Sequence, residues 1–221
     1  MAGLRMAAPL LVLRSGSSEV AVGPLLATFA LGSVIAALPA GRLSDRYGYH
    51  LPVRLAVLLT VSGAMLAFAA TFFASAQLIW LCAAALLSGA GGNAGLITIQ
   101  RSAGRSAHDP VELRRVFSWL GAAPALSNFI GPLCAGLLID HFSFRAAFGA
   151  LAVAPLLSLA WAQLVPREAA SAAHATQAPG PAWDLLAGVE LRRLLLINWF
   201  MSASWDVHNF LVPVLGVERG L

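Results

Sequence analysis

The chain is a succession of long apolar runs separated by short polar stretches that carry arginine. A helix that crosses a bilayer needs about 20 mostly apolar residues. Residues 21–40, 53–73, 77–99, 116–139 and 144–165 each meet that length, the second and fifth with a single arginine near one end, Arg54 and Arg145. Residues 194–215 form a sixth run, which contains Asp206 and His208. Residues 1–13 are apolar apart from Arg5, but 13 residues of helix reach only ~20 Å, short of the ~30 Å hydrocarbon core. They read as part of a first helix, about 1–13, that is incomplete. The alternative is a signal peptide with Arg5 as its basic region, for which no good small-x-small cleavage site follows closely.

The pattern predicts an all-α, polytopic integral membrane fold. Residues 1–166 form an N-terminal transmembrane bundle. Residues 167–190, rich in Ala, Ser, Pro and Gly, have the composition of a linker. Residues 191–221 hold the first helix of a second bundle.

Composition supports a bilayer setting. Hydrophobic residues make up 59% of the chain and charged residues 11%, and the mean hydropathy is +0.78. A soluble domain carries about 25% charged residues, so too little charge is present here to cover a water-facing surface. The basic residues are fourteen arginines and no lysine. This excludes a Walker-type phosphate lysine and a Schiff-base lysine. Cys82 and Cys134 lie inside apolar runs and read as small buried residues. No HExxH, GxSxG or CxxC motif occurs, and no cofactor is implied.

The arginines also orient the chain. Arg42, Arg46 and Arg54, then Arg101, Arg105, Arg114 and Arg115, then Arg167, Arg192 and Arg193 flank alternate turns, against Arg14, Arg145 and Arg219 on the other side. Ten against three places the first set, and the 167–190 linker, on the cytoplasmic side; the membrane expected is a bacterial inner membrane.

An internal similarity runs through the first bundle. AGRLSDRYGY at 40–49 aligns with AGLLIDHFSF at 135–144 at an offset of 95, pairing Asp45 with Asp140. Three helices separate the copies, so the second is upside down in the membrane. Inverted three-helix repeats are a signature of secondary transporters.

GRLSDRYGYHLPVR at 41–54 resembles the signature between the second and third helices of the major facilitator superfamily. Gly41, Leu43, Ser44, Asp45, Arg46 and Gly48 match, while Tyr49 and His50 replace the usual basic pair. Gly41 is expected to let a neighbouring helix approach closely. Asp45 is expected to face the positive N-terminus of another helix, and Arg46 and Arg54 to meet acidic groups or lipid phosphates. In the family the motif resembles a conformational latch. Ser118, Ser127, Gly131, Pro132, Ala135 and Gly136 resemble a degenerate glycine-proline motif of proton-coupled antiporters. There Gly131 and Pro132 free a carbonyl and favour a bend, as they would in any kinked helix. The arginine that proton-coupled members carry in the fourth helix is replaced near Ala85, which counts against proton-coupled drug efflux. The glycine cluster at 88–93 reads as close helix packing.

Charged and amide side chains inside the runs are the candidates for solute or proton contact: Arg5, Asn93, Asn128 and Asp206. Asn93 and Asn128 line a cavity or bond a neighbouring helix. Asn198, Ser202, Asp206 and Asn209 share one helical face. His208 lies well around the helix from Asp206 and reads as a helix contact. The resemblance implies two six-helix bundles moving a small solute, with or without protons, by alternating access, without chemical reaction. It implies too that this chain holds the N-terminal half plus one helix, truncated at both ends, so that its partner is the missing C-terminal bundle or a second copy of itself. Such a chain is not expected to complete a transport cycle alone. The rivals are a non-transporting membrane fragment, a seven-helix receptor or assembly subunit, and an intramembrane enzyme. The first group needs neither motif nor repeat, and the last lacks a nucleophile–base or metal set.

Overall fold

The computed structural model describes residues 1–107, 109–165 and 188–218, without the side chains of 205, 206 and 208–218. Every regular element among them is helical. The helices are α1 (Ala2–Arg14), α2 (Val22–Tyr47), α3 (His50–Ala70), α4 (Gln77–Ser106), α5 (Pro110–His141), α6 (Phe144–Ala162) and α7 (Val189–Glu218), with single 3-10 turns ahead of α2 and α4. Five of them, α2 to α6, are long and apolar enough to cross a membrane. The chain divides into two compact units, Met1–Ser171 and Ala172–Leu221.

The helices begin and end where backbone chemistry dictates, and this corrects the boundaries that hydropathy predicts. The apolar run ends at residue 40, yet α2 continues to Tyr47. Arginines are good helix formers, and nothing stops a helix that has left the hydrocarbon. Gly48 stops it, at φ +71°, a conformation that an L side chain rarely adopts. Residues 41–54 are therefore the end of α2, a two-residue turn at Gly48 and Tyr49, and the start of α3, not one long loop. Likewise α4 runs on to Ser106 instead of ending at 99. α5 starts at Pro110 instead of 116, because Asp109 caps it. The Asp109 carboxylate accepts from the Val111 and Glu112 N–H groups, both at 2.7 Å, and proline sits at the first helical position. Ser143 caps α6 by accepting from Ala146 N–H. Most of the stretch expected as a linker, residues 167–187, lies outside the described residues, as do residue 166 and Arg219.

In the first unit α4 lies between α2 and α3, α1 packs on α5, and α6 packs on α3 and α5. All six helices meet in one core: Leu4, Ala7, Leu11, Leu25, Phe29, Ala67, Leu81, Ala84, Ala135 and Phe148 are among its buried residues. It contains most of α1, the C-terminal halves of α3 and α5 and the N-terminal halves of α2, α4 and α6, so it sits at the end of the bundle away from Asp45. Alanine dominates it. Lipid is as apolar as leucine, so association rests on close van der Waals packing, which small residues permit. The short segment α1, only 13 residues long, is fully part of this core through Leu4, Ala7, Ala8, Leu11 and Val12.

In the second unit α7 is a single helix of 30 residues. Asn198 and Ser202 are exposed on it. Asp206, His208 and Asn209 fall on its backbone, but their side chains are outside the described residues.

Candidate functional site

The 41–54 segment builds a joint at the arginine-rich end of the first unit. Asp45 lies in the last turn of α2, where the carbonyl end of the helix disfavours a negative charge. Arg101 of α4 compensates. Its Nε donates to Asp45 Oδ1 at 2.6 Å and its Nη2 to the Asp45 carbonyl at 3.4 Å. A charge-assisted bond of this length is among the stronger polar contacts. The Arg101 side chain is 14% exposed and that of Asp45 71%. The guanidinium is thus carried on a stem packed against the bundle, with the carboxylate on its water side. Among the described residues Asp45 is tied to the Arg101 side chain. Arg46, in the favourable position for a cation at a helix end, lies over the Tyr47 ring at 5.3 Å. Arg54 is exposed on α3.

Within this unit no atom outside its own helix turn lies within 4 Å of the place a Cβ on Gly41 would take. Close approach occurs deeper, at Gly32 and Gly89 between α2 and α4, and at Gly63 and Gly91 between α3 and α4. A Cβ on Gly91 would sit 2.6 Å from the Ala56 carbonyl, and one on Gly63 2.7 Å from the Ala84 carbonyl. The 88–93 glycine cluster is therefore a packing device, as its composition predicts. Asn93 belongs to the same seam: its Nδ2 donates to the Ser33 carbonyl at 2.7 Å, and Ser33 Oγ donates to the Gly89 carbonyl at 3.2 Å.

Gly131 and Gly136 of the glycine-proline motif face α1. A Cβ on Gly131 would lie 2.9 Å from Gly3 N, and one on Gly136 3.7 Å from Met6 Cε. Pro132 has no N–H, so the Asn128 carbonyl has no donor one turn ahead. Arg5 and Asn128 are both exposed, and each stands within a turn of the Gly3–Gly131 crossing. The crossing thus brings Arg5 of α1 and Asn128 of α5 to neighbouring levels of the bundle. Asp206 is on α7, outside the described side chains.

At the joint, Tyr49 is half-buried and burial pushes its phenol pKa up. It edges a groove of about 380 Å³ between α3 and α6, with Leu157, Ser158, Trp161, Ala162 and Val165. That lining holds two hydroxyls and no charge, which suits a lipid-facing surface. No cluster of three or more metal-ligating side chains occurs among the described residues.

The pairing of Asp45 with Arg101 is not visible in the sequence, where Arg101 counts only as one of several turn arginines. The signal available is that the second and fourth helices both end on the arginine-rich side.

The family model described as Major Facilitator Superfamily matches residues 1–221. The chain belongs to the major facilitator superfamily. No curated protein matches it. Members of the superfamily are integral membrane proteins that carry solutes across the bilayer and are transporters rather than enzymes, and the five apolar membrane-length helices here agree with that setting. Within this superfamily member the Asp45–Arg101 joint is a contact between two helix ends. It fixes the end of α2 to the end of α4, beside the two-residue turn that leads into α3.

Proposed function

We propose that the chain serves secondary transport of a small solute by alternating access, with its arginine-rich turns on the cytoplasmic side. Arg5, Asn128 and Asp206 are its solute- or proton-contacting groups. Asn93 serves the α2–α4 seam instead, since its amide already donates to Ser33. The observation that carries this reading is the exposure of Arg5 and Asn128 on α1 and α5, each within a turn of the Gly3–Gly131 crossing. An ionisable group at membrane depth is costly unless it faces a cavity or a partner, and a guanidinium suits an anionic or strongly polar solute. The polar face of α7 that includes Asp206 supports the same reading from the second unit.

The test is accumulation or extrusion of a panel of labelled small polar solutes in cells expressing the chain joined to a complete C-terminal bundle, with and without a proton-gradient uncoupler. Arg5→Gln, Asn128→Ala and Asp206→Asn are expected to abolish movement of the solute or its response to the uncoupler, with membrane content unchanged. Wild-type rates and wild-type pH dependence in all three variants would falsify the assignment.

A further inference from the structure

The Asp45–Arg101 pair has a counterpart at the opposite end of the first unit. Arg14, the last residue of α1, lies 3.6 Å from Asp140 in the last turn of α5. The two ion pairs share an architecture. α2 and α4 run parallel and cross at Gly32 and Gly89, where a Cβ on either would strike the other helix's backbone. Thirteen residues after Gly32 comes Asp45, and twelve after Gly89 comes Arg101. α1 and α5 also run parallel and cross at Gly3 and Gly131. Nine residues after Gly131 comes Asp140, and eleven after Gly3 comes Arg14. In both pairs the acid is on the helix that carries the 40–49 or 135–144 sequence, and the base is on the first helix of the other three-helix set. That exchange is what a two-fold axis in the membrane plane would produce, and it agrees with the 95-residue offset that aligns the two aspartates.

We propose that Arg14 and Asp140 are positioning residues of the transport cycle. They form a far-end clasp that opposes the Asp45–Arg101 clasp and sets, with it, how readily each end of the bundle admits solute. The proposal rests on the transport reading, but its test needs no solute, so the two can fail separately. The far clasp is the more exposed: its side chains are 54% and 65% accessible, and water screens it. Arg14 also lies over the Phe144 ring at 5.6 Å, which holds it at the mouth of the α5–α6 turn. An exposed pair of this kind biases a two-state equilibrium by about two- to five-fold.

The experiment places a reporter cysteine at Ala125, exposed on α5 and about a turn from Asn128, in a Cys82→Ala, Cys134→Ala background. The rate of labelling by a membrane-impermeant thiol reagent is measured from each side in right-side-out and inside-out vesicles. Asp140→Asn and, separately, Arg14→Gln are expected to raise labelling from the Asp140 side by about two- to five-fold and to lower it from the other. Asp45→Asn is expected to do the reverse. The exchange Arg14→Asp with Asp140→Arg keeps the pair and is expected to restore the parent rates. The proposal is overturned if both far-end variants leave the rates unchanged. It is also overturned if they move the rates in the same direction as Asp45→Asn, or if the exchange fails to restore them.

Discussion

α4 and α5 are nearly the same length and almost equally apolar, yet they are used differently. A third of the most apolar window of α4 is buried inside the protein, against 11% of that of α5. On α4, Leu81, Ala84, Ala85, Ser88, Gly89, Gly91, Ala94 and Thr98 are all buried. On α5, only Ala135 and Ile139 are buried, and residues 121–130 are exposed throughout. Small residues alone do not make the difference, because α5 has Gly121, Ala122, Ala123 and Ala125 in that exposed stretch. What differs is direction. Gly89 and Gly91 are two positions apart, roughly opposite on the helix, and each faces a different neighbour, α2 and α3. α4 is therefore held on two sides by backbone contact. α5 also meets α6 and α4, but among its glycines backbone comes close only at Gly131, near its far end, against α1. Hydropathy assigns a helix to the bilayer, while glycine placement decides what it touches.

The sharpest way to break this comparison is a pair of Gly→Ala changes of opposite sign. In Gly89→Ala the new Cβ runs into the Phe29 carbonyl, and backbone cannot swing aside as a side-chain tip can. The expected cost is about 1–3 kcal/mol, as for other overpacked sites. Gly121→Ala meets open space and gains about 0.5–1 kcal/mol through lost unfolded-chain entropy and better helix propensity. Thermal unfolding of purified protein in detergent would show the midpoint falling for the first and rising for the second. Two shifts of the same sign would remove glycine contact as the explanation for the burial of α4.

The two ion pairs give the next largest contrast. Asp45→Asn takes the carboxylate from a guanidinium that is mostly packed away from water. Removing one member of a buried pair costs about 3–5 kcal/mol, and the exposure of Asp45 reduces that to about 1–2 kcal/mol here. Asp140→Asn breaks a pair exposed on both sides, and the expected loss is under about 1 kcal/mol. High salt should shrink the second loss more than the first. Equal losses with equal salt dependence would mean that burial of the Arg101 stem has no energetic consequence.

These contrasts also show where the sequence is readable. The number and order of the helices follow from the apolar runs, because a bilayer demands about 20 such residues whatever the neighbours are. Helix ends do not follow, since hydropathy detects the hydrocarbon boundary while a helix stops at a backbone signal. Gly48 ends α2 seven residues past the apolar run, and Asp109 starts α5 six residues before it. Those signals are local, and a closer reading of Asp109-Pro110 and of Gly48 finds them. The partner of Asp45 is another matter. Arg101, Arg105, Arg114 and Arg115 all flank the same turn, and only the approach of α4 to α2 at Gly32 and Gly89 selects Arg101. Gly41 is a complementary case: its place in the motif is legible, but the face it presents is not. For Arg5 and Asn128 the sequence marks the residue types, while the levels at which they sit depend on the Gly3–Gly131 crossing.

The smallest effect expected concerns Asn93, and it separates a seam residue from a solute residue. Its amide donates to the Ser33 carbonyl at 2.7 Å, adding a polar bond between α2 and α4 one turn past Gly89. A hydrogen bond between membrane helices is worth about 0.6 kcal/mol on average, because the separated helices also find partners. Asn93→Ala removes that bond, but the Ser33 carbonyl keeps its place in the α2 helix, so little is left unsatisfied. The expected outcome is a loss of about 0.5–1 kcal/mol in detergent unfolding, with apparent solute affinity within about twofold of the parent chain. Asn93→Asp makes the test harder to pass by accident. It keeps the size but replaces the donor with an acceptor facing a carbonyl, so it should be more destabilising than alanine. If both variants keep full stability while solute affinity collapses, Asn93 belongs to the solute path and the seam is held by Gly32 and Gly89 alone.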